Sequence, residues 1–194
     1  MTYVSVITLV TYALVLGLLA VVSVIDIRSR RVPNGLAAAL GFLWVAWRVV
    51  LGFAGAHMGL GFRAEFLGPA PDVLVPPGLE IGGISFASGL LGAVVLGGGL
   101  LVLTTLYELI RRKEAFGGGD IKLMAAAGLF LGWQNTLLAM FFGIVFGGMY
   151  GIYLLAAKKA GKKDHFAFGP FLCAGIVIAM LFGGPVLEWY CAFL

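Results

Sequence analysis

Long apolar segments with almost no charged residue are the feature that most constrains this 194-residue chain. A helix rises about 1.5 Å per residue, so about 20 such residues cross the roughly 30 Å hydrocarbon core of a bilayer. The segments of this kind are Val4–Ile25, Gly35–Ala54, Ser88–Ile110, a short one at Gly117–Trp133, Thr136–Ala157 and Gly169–Leu187. The sequence therefore predicts an all-α integral membrane protein, in which a bundle of about six transmembrane helices forms one domain over residues 1–194.

The composition excludes several classes of protein. Hydrophobic residues make up 61% of the chain and charged residues 11%, whereas soluble domains contain about 45–50% and about 25%. A soluble globule of this length could not bury so much apolar surface, so a soluble enzyme, a disordered tail and a nucleic-acid binder are excluded. The net charge of +4 indicates contact with anionic membrane lipid. The two cysteines, Cys173 and Cys191, form no CxxC pair, and we expect neither a metal nor a cofactor.

The charge of the connecting loops alternates along the chain. Loops one, three and five are basic, and they contain Arg28, Arg30, Arg31, then Arg111, Arg112, Lys113, then Lys158, Lys159, Lys162 and Lys163. Because Lys and Arg are retained on the cytoplasmic side, these loops are predicted to be cytoplasmic and both chain ends to lie outside. The chain is thus predicted to be a multi-pass protein of the plasma or inner membrane. Loop two, at about residues 55–86, is rich in Gly and Pro and is predicted to be an irregular external segment. The first span lacks a basic n-region, so we expect it to be retained rather than cleaved as a signal peptide.

Two aspartates are predicted to lie at the same membrane depth. Asp26 ends the first span and Asp120 begins the fourth, and the loop assignment places both at the cytoplasmic face. Two carboxylates that share a site hold one proton between them. Such a pair can activate a water molecule for attack on a peptide carbonyl, as in aspartic proteases. Two simpler interpretations stay open, in which Asp120 is only a helix N-cap and Asp26 only pairs with Arg28 or Arg30.

The glycines before Asp120 strengthen the prediction of a site. The segment Ile121–Trp133 has only 13 residues, which as a helix span about 20 Å, too little to cross the bilayer. Either the bilayer is thinner here, or Gly117–Asp120 lies below the level of the headgroups as irregular glycine backbone, where Gly117 and Gly119 let a substrate backbone come close.

Three other polar side chains receive different interpretations. Lys122 lies about 200° around a helix from Asp120, so we expect it to extend toward the cytoplasm beside the motif rather than pair with the aspartate. Arg48 is expected to extend to the outer surface in the same way. The histidines, His57 and His165, have no ligand spacing, so we expect them to bind no metal.

The sequence around the aspartates resembles that of type IV prepilin peptidases. The segment Gly117-Gly118-Gly119-Asp120-Ile121-Lys122-Leu123, followed by Gly128 and Gly132-Trp133, is similar to their Gly-x-Gly-Asp block. Asp26-Ile27-Arg28 with Val32-Pro33-Asn34 resembles their first aspartate segment. Gly82-Gly83-Ile84-Ser85-Phe86 and Phe168-Gly169-Pro170-Phe171 are similar to further segments of the family, so the resemblance covers nearly the whole chain.

The resemblance implies a membrane aspartic endopeptidase that removes the short basic leader of prepilins or pseudopilins at the cytoplasmic face. Asp26 and Asp120 match the catalytic aspartates, and Gly117 and Gly119 match the glycines of the motif. Many members also have a domain with paired CxxC motifs and an N-methyltransferase activity, which we do not expect here. The family often has Pro where this chain has Ala167.

Three alternative functions remain open at the level of sequence. An archaeal-type preflagellin peptidase shares the same two aspartates. A small proton-relay transporter could use them as relay groups, although spans four to six contain almost no other ionisable side chain. A structural subunit of a secretion machine would leave the glycine segment unexplained. The sequence determines neither the particular substrate nor the oligomeric state.

Overall fold

The computed structural model describes residues 2–57, 85–111, 117–157 and 167–193. These residues form helices, and the prediction of an all-α membrane protein is confirmed. The helices are α1 (Thr2–Ser29), α2 (Asn34–His57), α3 (Phe86–Arg111), α4 (Gly118–Ala156) and α5 (Gly169–Cys191). All five are long and apolar enough to span a membrane. The predicted external loop lies largely outside the described residues, as do Arg112, Lys113 and the lysines of loop five.

The longest helix, α4, contains both the fourth and the fifth predicted spans. At Gly132 its backbone leaves the helical region, with φ 69° and ψ 176°, a conformation that essentially only glycine adopts. Gly119 packs on Val32, and Gly169 also contacts Val32. Gly147 packs on Phe168, the residue before Gly169, so both ends of this stretch of α4 lie near Val32. Residues 119 and 147 would be about 42 Å apart in a straight helix. The chain therefore reverses at Gly132, and the two halves of α4 lie antiparallel.

The same contacts establish which ends of the helices lie together. Asp26, at the end of α1, adjoins the start of α5, and Lys122 near the start of α4 contacts Asn34 at the start of α2. We call this end of the bundle the aspartate end. The described residues that flank loops one, three and five lie at the aspartate end, and those that flank loop two lie at the opposite end. The alternation of loop charge thus corresponds to an alternation in space.

Close backbone contact joins α3 to the first half of α4. A methyl group on Gly92 would lie 2.5 Å from the carbonyl oxygen of Gly128, and one on Gly97 would lie 2.5 Å from the Cβ of Ala125. Residues Ala93–Gly98 of α3 are π-helical. Small residues let helix backbones approach this closely in a membrane, where van der Waals packing drives helix association. This interface fixes the half of α4 that contains Asp120.

The expectation that Arg48 extends to the outer surface is wrong. Its side chain is fully buried, with the guanidinium carbon 5.7 Å from the ring centre of Trp44 and 5.2 Å from that of Trp47. Tyr12 of α1 is also buried, and its ring centre lies 6.2 Å from that of Trp47. The aromatic faces provide an electrostatically favourable environment for the cation within the bundle. Arg48 is 14 residues from the start of α2, about 21 Å from the aspartate end.

Candidate active site

Asp26 is held at the junction of α1 and α5. It lies one turn before the end of α1, which stops at Ser29, and the next residue, Arg30, has a φ of 52°. The Asp26 side chain is only 4% exposed. Its Oδ2 accepts a hydrogen bond of 2.9 Å from the backbone N–H of Gly169. Gly169 is the first residue of α5, so this N–H has no partner within its own helix and is available to the carboxylate.

The Asp26 carboxylate is buried, which contradicts the simpler interpretation that Asp26 only forms an ion pair with Arg28 or Arg30 at the surface. Arg28 and Arg30 are both described, both are exposed, and neither forms an ion pair with Asp26. Among the described residues Asp26 therefore has no basic partner, and a buried carboxylate without one is costly.

Asp120 lies in the first turn of α4 and is not its N-cap. The helix is capped by Gly117, whose backbone is extended with φ −62° and ψ 126°, and the backbone N–H of Asp120 donates to Gly117 O at 2.9 Å. The simpler interpretation of Asp120 as an N-cap is therefore wrong. The expectation of irregular backbone throughout Gly117–Asp120 is also wrong, because the helix already begins at Gly118. Asp120 therefore lies within the first turn of the helix, and its side chain is half-buried.

Val32 lies between the two aspartates and shows how they are brought together. A methyl group on Gly119, next to Asp120, would lie 2.6 Å from Val32 O and 2.8 Å from its Cβ. A methyl group on Gly169, which binds Asp26, would lie 3.2 Å from Val32 Cγ2. The residue next to Asp120 and the residue that binds Asp26 therefore both pack on Val32. The structure thus places both aspartates at one end of the bundle.

The remaining predicted residues of the motif occupy different positions. Gly117 is exposed, and the Asp120 carboxylate folds back toward it, with Oδ2 3.1 Å from the place a methyl group on Gly117 would take. Gly119 is half-buried against Val32, so the absence of its side chain serves helix packing. The exposed Lys122 donates from Nζ to Asn34 Oδ1 at 2.9 Å and does not pair with Asp120.

Two residues at this site were not identified from their own sequence pattern. Gly169 appears in the sequence only within the segment Phe168-Gly169-Pro170, which gives no indication that its N–H binds Asp26. Cys173 is buried one turn further along α5, where it lines the same cavity as Ser23 of α1. Neither feature could be found without the pairing of α1 with α5. Among the described residues, no three metal-ligating side chains come together.

Fold and site together define a multi-pass helical membrane protein with two carboxylates at one end of the bundle. The profile of the Type IV leader peptidase family matches residues 13–152, a segment that includes both aspartates. The chain belongs to this family.

The names of similar curated proteins are consistent with this family membership. A prepilin leader peptidase/N-methyltransferase of Aeromonas salmonicida (strain A449) is 35% identical over 188 residues, which cover 92% of this chain and 60% of the relative. The protein of the same name from Pseudomonas aeruginosa is 36% identical over 176 residues, covering 81% and 60%. The one from Bacillus subtilis is 33% identical over 106 residues, covering 55% and 41%. The chain thus spans at most about 60% of the length of these relatives. No solved structure matches the chain.

Proposed function

We propose that the chain is a membrane-embedded aspartic endopeptidase that cleaves the basic leader peptide of type IV prepilins or pseudopilins at the cytoplasmic face. The observation that carries the proposal is that Asp26 and Asp120 lie at the same end of the bundle, next to residues that both pack on Val32. Two carboxylates in one site provide both the base and the acid that hydrolysis of a peptide bond needs. The names of the relatives supply the substrate class.

The proposed reaction uses the pair as a unit with one proton between its members. The ionised carboxylate accepts a proton from water as the water oxygen attacks the peptide carbonyl carbon, and the protonated carboxylate donates its proton to the carbonyl oxygen. The resulting diol collapses when the C–N bond breaks. The leaving nitrogen takes a proton from one carboxyl group, while the other regains a proton from the diol. The pair is thereby returned to its starting state.

The cytoplasmic orientation is supported by the distribution of basic residues. Arg28, Arg30, Arg31 and Arg111 all lie at the aspartate end, and loops three and five, which attach to that end, are basic in sequence. Since basic residues are retained on the cytoplasmic side, the aspartate pair would face the cytoplasm. The exposed Gly117 gives a substrate backbone room beside Asp120, and Lys122 fixes the start of α4 against α2.

The decisive experiment is cleavage of a prepilin by the purified protein in detergent. Asp26→Asn and Asp120→Asn should each lower kcat by about 10²–10⁴-fold or more, because an amide can neither accept nor donate the required proton. The double variant should be no worse than either single one, since the residues act as a unit. Glu108→Gln is the matched control, because Glu108 is an exposed carboxylate near the same end of the bundle.

The result that would overturn the proposal is near-normal turnover by a folded Asp26→Asn or Asp120→Asn protein. Helicity and thermal unfolding of each variant establish that the loss is not one of folding. Testing prepilins, pseudopilins and a preflagellin in parallel identifies the substrate class. Preferential cleavage of the preflagellin would instead support the alternative function, that of a preflagellin peptidase.

A further inference from the structure

A groove runs along the outside of the bundle between α1 and α5. It has a volume of about 380 Å³ and is lined by Leu16, Ala20 and Ser23 of α1 and by Pro170, Cys173 and Ala174 of α5, among others. All of these residues lie within segments that can span the membrane. Leu16, Ala20 and Ala174 are exposed on the bundle surface. The α1–α5 groove therefore opens sideways into the bilayer.

One end of the groove adjoins the aspartate pair. Ser23 lies three residues before Asp26, and Cys173 lies four residues after Gly169, whose N–H binds Asp26. The other end, at Leu16, is ten residues before Asp26, about 15 Å deeper along the helix. The groove thus ends about one turn from Asp26 and extends from there along the helices.

We propose that the α1–α5 groove binds the apolar, membrane-inserted segment of the polypeptide substrate and presents the adjoining peptide bond to the aspartates. The inference rests on the proposed function and adds the route and the chemistry of binding. Asp26 is 4% exposed, so a peptide must reach it from an adjoining open surface. The groove is such a surface, and its apolar walls suit a segment that already lies in the bilayer.

The two polar side chains at the aspartate end favour a polypeptide over a lipid chain as the occupant. An acyl chain has no polar group at this depth, whereas a peptide that is extended for cleavage exposes N–H and C=O groups that must find partners within the membrane. The Ser23 hydroxyl donates to Leu19 O at 2.9 Å, and its oxygen can still accept from a substrate N–H. Ser23 and Cys173 lie where the substrate would change from helical to extended backbone.

The groove owes its depth to small residues that face it. Ala20 and Ala174 are exposed and line it from opposite sides. A tryptophan at either position would fill the groove without entering the packed interior. Ala38 of α2 is also exposed, is not among the residues lining the groove, and lies one turn from the aspartate end. It provides the matched control for the same substitution.

Photocrosslinking tests the occupant directly. Benzoylphenylalanine is placed at Ala20, Ala174 or, as control, Ala38, in an Asp120→Asn background that prevents turnover. Each protein is reconstituted in liposomes with a prepilin that has an intact apolar segment. We expect crosslinks from positions 20 and 174 to that segment and at most weak ones from position 38. Crosslinks to lipid alone, or equal crosslinks from position 38, would overturn the proposal.

Kinetics of otherwise wild-type enzymes provide a second readout. Ala20→Trp and Ala174→Trp should lower kcat/KM for the reconstituted prepilin about tenfold or more, chiefly through KM, while Ala38→Trp leaves it unchanged. Unaltered kinetics of both groove variants would overturn the groove while leaving the proposed function intact. Failure of the proposed function has a different signature, which is absence of prepilin cleavage by the wild-type protein, and it would overturn both.

Discussion

The contact between Gly169 and Asp26 allows a sharp perturbation of the site. In Gly169→Ala the new methyl group would lie 2.7 Å from Asp26 Oδ2, 3.1 Å from its Cγ and 3.2 Å from Val32 Cγ2. An ordinary van der Waals contact begins at about 3.4 Å, so the carboxylate must retreat by about 0.7 Å. It is buried and is held by the N–H of the same residue. The substitution therefore moves Asp26 relative to Asp120 while both side chains remain present.

The expected effect follows from the size of this movement. A displacement of about 1 Å in a catalytic group can cost about 100-fold in rate, so a shift of about 0.7 Å should lower kcat about 10- to 100-fold. The substitution adds helix propensity to the first turn of α5, so the loss should not come from an unstable helix.

The assay is prepilin cleavage in detergent, with kcat and KM measured separately and thermal unfolding recorded in parallel. Gly35→Ala is the control, because Gly35 lies in the first turn of α2 at the same end of the bundle and nothing lies within 4 Å of the added methyl group. The reasoning would be refuted by a folded Gly169→Ala enzyme with wild-type kcat, or by an equal loss in Gly35→Ala.

Three further perturbations test the fold and its orientation. Gly132→Ala should lower the free energy of unfolding by about 1–3 kcal/mol, because alanine is strained at φ 69°, ψ 176°. Gly148→Ala is the control and should not lower it, because the added methyl group meets open space. Arg48→Ala should destabilise the protein by about 2–5 kcal/mol in thermal unfolding, since it loses buried packing and both ring contacts, yet leave the kcat of the folded enzyme unchanged. The orientation can be tested in intact cells with single cysteines in a background without the native cysteines. A cysteine at Ser29 should be protected from an impermeant thiol reagent, and one at Asp72 should be labelled. The reverse labelling would contradict the orientation.

The membrane spans and the depth of the two aspartates could be predicted because their signals are local. Each apolar segment is defined by its own residues, and Asp26 and Asp120 fall at the boundaries of such segments beside basic loops. Counting charges was enough to predict that both lie at the same end of their helices. The structure places both at one end of the bundle, in agreement with that count.

The features that could not be predicted depend on which helix faces which. From the sequence, Arg48 is close enough to a helix end to reach the surface, and only the packing of Tyr12 and Trp47 shows that it is buried. The glycines at 118 and 119 suggested irregular backbone, but Gly119 instead accommodates Val32 within a regular helix. The bond from Gly169 to Asp26 joins residues 143 positions apart. No local pattern determines such a pair.

The position of the aspartate pair reconciles two opposing requirements of hydrolysis at a membrane. The reaction consumes water, which enters the end of a bundle more readily than its middle, and Asp120 is half-buried beside the exposed Gly117 at that end. The substrate of the proposed reaction, in contrast, is anchored in lipid, and the α1–α5 groove ends about one turn from Asp26. A pair placed deeper would lack water, and one placed in an exposed loop would lose the N–H of Gly169 and the packing on Val32 that hold it. Asp26, near the last turn of one helix, and Asp120, in the first turn of another, therefore occupy the depth at which rigid helices, water and a membrane-anchored peptide can meet.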